Sequence, residues 1–590
     1  MAIILYPMNK AACFLLGLLF LICYAVSAQK FDNIWRMGYN WDGATAFEVQ
    51  GFELNFDTFP PRFYENQSRY RFQDGYASIC DSIGQLHFVT NGCNLIGADE
   101  YPIVRGDTIT QGWELDWCRM YRHYPFENHH LFLPAPGHKD SMYLFQVSAY
   151  KSESGPLVVY SNNLNYFLID TKANEGLGSV VEGFQNIITD TFSYGELTAV
   201  KHGNGRDWWI ALTHLNNSEI SMILLDKDSL YVHHSQKMGP AWAKAGAFQA
   251  VFSADGTMFA RYNHYYGLYL YDFDRCSGML SNLRYFPFID DSDPGLTSGV
   301  AFSPDNRYLY FPINYDSLFQ MDLRAPDLAA SVQLVATWDG YASDGFWPTK
   351  FGIIVPGPDG RLYVMPPATT KSMHVINRPN LGGAACGLQQ HAFDFPYYYR
   401  SPPNFPNYRL GPLDGSPCDT LDIDNLPLAN FRPDPSDSSG LALQFWDVSA
   451  YAPTQWHWDF GDGQASQNTS PAHTYAAPGF YTVCQTVSNA YGSDTHCKIV
   501  QIQTVGTSNL EPGEALEAYP NPTTGIVHLP WRDASASQVQ VRDMAGRLVL
   551  DLDLEGPEIN LGRLPDGMYL LTLQERETGK EWVGKVMMLK

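Results

Sequence analysis

The stretch WELDWCRMYRHYPFENHH, residues 113–130, holds the densest set of reactive groups in this 590-residue chain. Asp116, His123, Glu127, His129 and His130 supply carboxylate and imidazole donors, which bind a transition metal when they converge on one point. Their spacing permits that convergence without requiring it, and a solvated loop is the plainer reading. Two acidic places could take calcium, Asp290-Asp291-Ser292-Asp293 and the pair Asp459 and Asp462. A hard cation needs six or more oxygens, and neither place offers an evident full set. Calcium is therefore the one cofactor left open, and no metal ligand is assigned. HExxH, GxSxG, GxGxxG and Walker spacings are absent, so metalloprotease, α/β-hydrolase and nucleotide-binding readings lose their usual support. A site assembled from several separated segments would leave no such trace, and no catalytic residue is assigned.

Aromatic rings offer the other kind of site. Trp208, Trp209, Tyr265, Tyr266, Trp338 and Trp347 fall in or beside turns, where exposed rings could stack on sugar faces or grip peptide. The competing reading is core, because alternate strand positions must be filled.

The elements that would position these residues are strands. AVFSADGTMFARYNHYYGLYLYDFD, from Ala250, recurs as VAFSPDNRYLYFPINYDSLFQMDL, from Val300. Each copy reads strand, turn, strand, with Asp255-Gly256 and Pro304-Asp305-Asn306 as turns between alternating runs. The recurring Asp has a structural use, accepting bonds from backbone N–H groups two residues on. A sheet this small cannot bury its faces alone, and such repeats stack radially as β-propeller blades. About seven blade-like units fit between residues 29 and 406. A Pro-rich connector over residues 407–429 is expected to lie over the propeller. The fold class is all-β.

Met1 to Ala28 has the form of a secretory signal peptide, with one basic residue, an apolar run over Ala11 to Tyr24 and small residues before Gln29. No second apolar run follows, so the mature chain is expected to be exported with no transmembrane segment. A net charge of −24 would repel a phosphate backbone, which disfavours nucleic acid. Eight of the ten cysteines lie beyond the signal peptide. Export makes disulfides the expectation, with Cys80 facing Cys93, Cys386 closing a loop to Cys418, and Cys484 facing Cys497 across a hairpin. Cys118 and Cys276 have no local partner.

Residues 430–505 contain Trp458-Asp459-Phe460-Gly461-Asp462-Gly463, Pro471-Ala472-His473-Thr474-Tyr475, and Pro478-Gly479 before Tyr481-Thr482-Val483. These motifs resemble the PKD domain family, which implies an immunoglobulin-like β-sandwich acting as a spacer or as a protein or glycan contact module. After a linker over 506–515, residues 516–590 carry Tyr519-Pro520-Asn521-Pro522 with Gly525, Asp543 with Gly546-Arg547, Leu564-Pro565-Asp566-Gly567-Met568-Tyr569, and a basic end from Lys585 to Lys590. This order is similar to the C-terminal sorting domain of the Bacteroidetes type IX secretion system. The resemblance implies a small β-sandwich, passage across the outer membrane, the type IX machinery as partner, and a secreted or cell-surface destination.

Two functions follow from these pieces. In the first, which is preferred, the propeller binds an extracellular glycan or protein and the PKD-like domain spaces it. In the second, the chain is a secreted hydrolase or lyase acting on polysaccharide or peptide, with carboxylates gathered at the propeller mouth.

Overall fold

The computed structural model describes residues 29–39, 49–151, 159–242, 249–289, 298–436 and 440–502, together with 523, 525–529, 537–543, 548–554, 558–565, 567–575 and 581–588. The signal peptide and the acidic turn Asp290 to Asp293 lie outside these residues, as do parts of the sorting-domain motifs.

Up to Tyr399 the chain is a succession of antiparallel meanders, in which sequence neighbours are sheet neighbours. The first sheet joins Ile34–Met37, Val49–Asn55 and Arg62–Ser68, and the second joins Ala77–Cys80, Leu86–Thr90 and Leu95–Gly97. Four-stranded sheets follow, running from His130–Pro134 to Ser179–Phe192, Thr198–Lys201 to Leu230–Lys237, Gln249–Phe252 to Met279–Phe286, Ala301–Phe302 to Gln333–Thr337, and Ile354–Pro356 to Leu388–Tyr399. A short hairpin of Ala342–Ser343 and Trp347–Pro348 stands between the sixth and seventh.

The repeated turns are built as their sequence suggests. Asp255 Oδ1 accepts from Ser253 Oγ (2.7 Å) and Thr257 N (3.0 Å), and Asp305 Oδ1 from Ser303 Oγ (2.7 Å) and Arg307 N (3.1 Å). Gly256 and Asn306 take the left-handed conformation that such turns need, with φ of +72° and +56°.

Seven sheets close into a ring because each shares a core with the next. Trp209, Phe259 and Tyr271 join the fourth to the fifth, Leu270 and Phe311 the fifth to the sixth, and Tyr310 and Ile354 the sixth to the seventh. The seventh returns to the first, where Phe52 stacks on Phe395 (4.2 Å) and Trp35 meets Tyr363 edge-on (5.2 Å). Each large ring so buried contributes about 1.5–3 kcal/mol. The all-β architecture is thus a seven-bladed β-propeller.

The segment after Tyr399 runs inside this ring. Tyr76 OH donates to Ser401 O (2.5 Å), Asn404 Nδ2 to His130 O (3.3 Å) and Leu197 O (2.9 Å), Tyr408 OH to Phe132 O (2.9 Å), and Asn407 Nδ2 to Ala254 O (2.8 Å). These partners lie on or beside the first strands of the second to fifth sheets. One short segment can touch four inner edges only where those edges face a common centre. Arg409 then pairs with Asp32, just ahead of the first sheet. The connector, expected to lie over the propeller, has its first residues, 407–409, in this centre.

Three disulfides form among the described residues: Cys93–Cys118, Cys276–Cys418 and Cys484–Cys497. The pairings of Cys80 with Cys93 and of Cys386 with Cys418 are corrected. Cys80 pairs in register with Leu86 at the turn end of its hairpin, whereas Cys93 follows Thr90 at the far end. Cys80 is buried, and its Sγ accepts from Ile34 N (3.3 Å). Cys386 is buried in the core shared by the last two sheets.

In the second half, Phe431–Pro435, Ala442–Asp447 and Ala472–Thr474 form one sheet, and Ala465–Ser466, Gln455–Asp459, Gly479–Asn489 and Gly492–Ile502 form another. Trp458 and Phe460 alternate with exposed Asp459 and enter the core beside Phe431 and Phe445. Farther on, strands Leu548–Asp553, Ser537–Asp543, Gly567–Glu575 and Glu581–Met588 bury Val539, Leu571 and Trp582.

Candidate functional site

The connections between sheets, and the turns between second and third strands, share one end of a radial meander. That end gathers most of the chemistry. The link between the second and third sheets contains helix α1, Gly112–Tyr121. Spacing by four places Glu114 and Cys118 on its buried face and Trp113, Trp117 and Tyr121 on the next. Its Gln111 cap makes no side-chain bond, so tertiary contacts have to hold it. The Cys118–Cys93 bridge ties α1 to the second sheet. The Glu114 carboxylate accepts from Tyr124 OH and from Ala149 N (2.5 Å). Burial pushes Glu114 up to about 7, and those two donors pull the other way.

The rings of α1 form a ladder. Trp113 and Trp117 lie 5.4 Å apart between centroids, and Trp117 and Tyr121 4.3 Å. Tyr121 and the neighbouring Met120 are exposed, at 43% and 68%. The ladder continues to His123, 6.3 Å from Trp117, and His123 Nδ1 stands 3.2 Å from the Asp74 carboxylate. Arg400 Nε lies 2.9 Å from Asp74 and 3.2 Å from Glu127. Both carboxylates are buried, while the Arg400 side chain is 40% exposed, so the residue presented to solvent here is the arginine. The two neighbouring carboxylates favour its charged form over the cost of burial.

Only part of the proposed metal set meets here. His123 and Glu127 join the Arg400 cluster, but Asp116 projects to solvent beside Arg119. His129 bonds through Nδ1 to Glu127 O (2.7 Å) and through Nε2 to Ser161 Oγ (2.7 Å), and burial holds it down to about 4. His130 is buried edge-on to Tyr124. Among the described residues, no three His, Cys, Asp or Glu stand close enough to hold a metal ion. Asp459 Oδ1 accepts from Gly461 N (2.9 Å), while Asp462 accepts from Gln464 N (3.0 Å) and meets His473 Nε2 (2.8 Å).

The six aromatic candidates divide. Trp208 and Trp209 are core, at 0% and 1% exposure, with indole N–H groups donating to Pro134 O and Arg275 O. Their strand is buried along its whole length between neighbouring sheets, so alternation gives it no outward face. Tyr265 and Tyr266 are partly buried at the shared end, where Tyr266 stacks on Trp242 (5.4 Å) and Tyr265 lies tilted against His264 (3.9 Å). Trp242 in turn lies under the Arg261 guanidinium (3.8 Å), which Glu196 holds through two bonds of 3.0 and 2.9 Å.

Trp338 and Trp347 belong to the protruding hairpin segment. Trp338 Nε1 donates to Tyr341 O (3.0 Å), Lys350 Nζ sits 5.5 Å over the Trp338 ring, and Trp347 packs on Phe346, which is 64% exposed. Tyr341 covers His391 (4.4 Å), whose Nε2 meets Asp339 (3.0 Å). The sequence reading missed the α1 ladder, although Trp113, Trp117 and Tyr121 recur at a helical spacing in the stretch it treated as a donor-bearing loop.

Asp190, His214 and Ser221 are connected like a nucleophilic triad, with bonds of 2.8 Å on either side of the imidazole. Ser221 is fully buried in a strand and shares its hydroxyl with Ser235 (2.8 Å). It cannot reach a substrate, and the set ties a turn to its sheet. His129 bonds Ser161 within the third sheet, and His264, in a turn of the fifth, bonds Ser298 on the link to the sixth.

Residues 425–504 match the PKD domain family and residues 517–588 the secretion system C-terminal sorting domain family. No curated protein matches the chain. Among solved structures, the PKD1 domain of the Vibrio cholerae metalloprotease PrtV is 31% identical, over 14% of this chain and 100% of that one, with a TM-score of 0.13. A putative 6-phosphogluconolactonase from Bacteroides fragilis is 11% identical over 63% and 98%, TM-score 0.34. PorZ, a surface component of the type IX secretion system of Porphyromonas gingivalis, is 10% identical over 92% and 80%, TM-score 0.21. No helix among the described residues is long and apolar enough to cross a membrane. The chain is thus a secreted or cell-surface protein of the type IX export route, carrying a PKD domain and a C-terminal sorting domain behind an all-β propeller.

Proposed function

We propose that this exported protein is a binding protein whose propeller takes an extracellular glycan or protein at the end bearing α1, with the PKD domain as spacer. The observation that supports this is the ladder of partly buried Trp113 and Trp117 and exposed Tyr121, leading to the Arg400 cation. Rings supply flat apolar area at low entropic cost, and an adjacent guanidinium offers directed hydrogen bonds to hydroxyl or carboxylate groups. Asp74 and Glu127 stand at the same place, but Arg400 engages both, which favours a role in positioning that cation over acid–base chemistry.

The test is a glycan and peptide array probed with the mature chain and with Trp117→Ala and Tyr121→Ala variants, with mass spectrometry of every ligand retained. Binding that the variants lose, without change in ligand mass, supports the reading. A cleaved product would replace it with the hydrolase or lyase alternative, and Asp74 and Glu127 would become the first residues to test.

A further inference from the structure

Away from the α1 face, the fourth sheet carries a pair of neighbouring imidazoles. Its outer strand, Leu230–Lys237, pairs with Glu219–Leu225. The register slips between the pairs Met222–His234 and Ile223–Val232, which leaves His233 as an extra residue. Successive side chains of a regular strand point to opposite faces, but an extra residue bends the strand and re-aims them. Here both rings come to the side of Trp209, which stands edge-on to His233 (5.1 Å) and to His234 (6.2 Å). The two Nδ1 atoms lie 2.8 Å apart.

The second of these rings is held for use as a donor. His234 Nε2 lies 3.1 Å from Gly278 O, in the turn between the last two strands of the fifth sheet. A carbonyl only accepts, so Nε2 carries the hydrogen and Nδ1 keeps its lone pair. Metal-binding histidines are oriented by this kind of bond from the far ring nitrogen. His233 is exposed, so its Nε2 can give a hydrogen bond to water and leave Nδ1 as a second donor. His202 also lies beside Trp209, but its Nδ1 accepts from Asn204 N (3.0 Å) and its Nε2 meets Cys276 O (3.0 Å). No third His, Cys, Asp or Glu joins the pair among the described residues.

The spacing selects the metal. Two nitrogens, each about 2.0 Å from one ion, are about 2.8 Å apart when their bonds meet at a right angle and about 3.3 Å apart at a tetrahedral angle. The observed separation is the right-angled one. Tetragonal sites of nitrogen and oxygen donors suit Cu(II) and Ni(II), and Cu(II) binds such donors more tightly. We infer that His233 and His234 chelate a divalent copper ion through both Nδ1 atoms, with water at its other positions.

The experiment titrates the mature chain with Cu(II), supplied as its glycine complex, and counts the imidazoles on the first equivalent by pulsed electron paramagnetic resonance. The expected result is a tetragonal spectrum with two imidazoles. In His233→Ala and in His234→Ala the count should fall to one and the midpoint should rise tenfold or more, because the chelate is lost. Near-UV dichroism verifies that both variants are folded. Cu(II) should raise the thermal midpoint of the wild type and leave that of His233→Ala unchanged. A first equivalent with fewer than two imidazoles, or a midpoint that neither substitution moves, overturns the inference and leaves a hydrogen bond between two rings. So does tighter binding of Zn(II) than of Cu(II).

Discussion

Replacing Glu114 by Gln is the sharpest probe of how the binding face is held. The carboxyl is 2% exposed and sits under α1, and burial raises it from 4.5 to about 7. Between those values the packed helix retains a proton that the opened helix releases. For an acid raised in this way, the stabilising contribution is full below about pH 4.5, declines as pH rises, and is gone above about pH 7. A shift of that size corresponds to roughly 3 kcal/mol, or a factor of about 300 in the opening equilibrium. Gln keeps an acceptor for Tyr124 OH and Ala149 N and does not titrate.

Native-state hydrogen exchange of the α1 amides, corrected for intrinsic rates, reads the opening without requiring a two-state chain. In the wild type, protection of α1 should fall steeply between about pH 5 and 7.5, and in Glu114→Gln the curve should be nearly flat. Parallel slopes in the two proteins would show that Glu114 does not couple α1 to pH. A flat wild-type curve would show that the carboxyl is hydrated while the helix is docked.

Other perturbations separate structural from functional roles. Cys118→Ser should cost α1 about 3 kcal/mol of protection, as expected for a loop of this length, and leave exchange in the fifth sheet unchanged. Arg400→Met strands two buried carboxylates and should lower stability by about 2–4 kcal/mol, which denaturant midpoints read. Ser221→Ala should leave ligand binding and any hydrolysis intact while lowering the thermal midpoint, and a lost activity would reinstate the triad. Trp338→Ala with Trp347→Ala tests whether the hairpin adds to the α1 ladder: unchanged array signals would confine binding to the α1 side.

Features determined by neighbouring residues were the readable ones. The Ser–Asp turns at Ser253 and Ser303 are complete within a few residues, and so are the alternation around Trp458 and the Cys484–Cys497 pair on adjacent strands. Distant closures were not readable. Cys276 finds Cys418 across 142 positions, and whether Cys80 could meet Cys93 depends on a register that no local pattern reports. Trp208 and Trp209 misled for a related reason. A glycine-rich turn marks the surface, but the strand it enters lies between two neighbouring sheets, and that burial is a property of the ring. At α1 the helical spacing was present and was outweighed by the number of metal-capable side chains.

The path of residues 400–409 through the ring makes closure a late event in the life of the chain. Arg409 meets Asp32 across 377 positions, so the amino-terminal sheet waits for its innermost neighbour until more than two-thirds of the polypeptide exists. Contacts of such long range are slow to form, because the entropy of the intervening loop is lost before they contribute. The segment works as a clasp: a chain ending ahead of Arg400 would hold the strands of all seven sheets and the seam of Phe52 with Phe395, but nothing along the centre to tie the inner strands together. Synthesis past Arg409 thereby becomes a condition for a braced propeller, and the Cys276–Cys418 bridge secures the stretch that leaves the clasp.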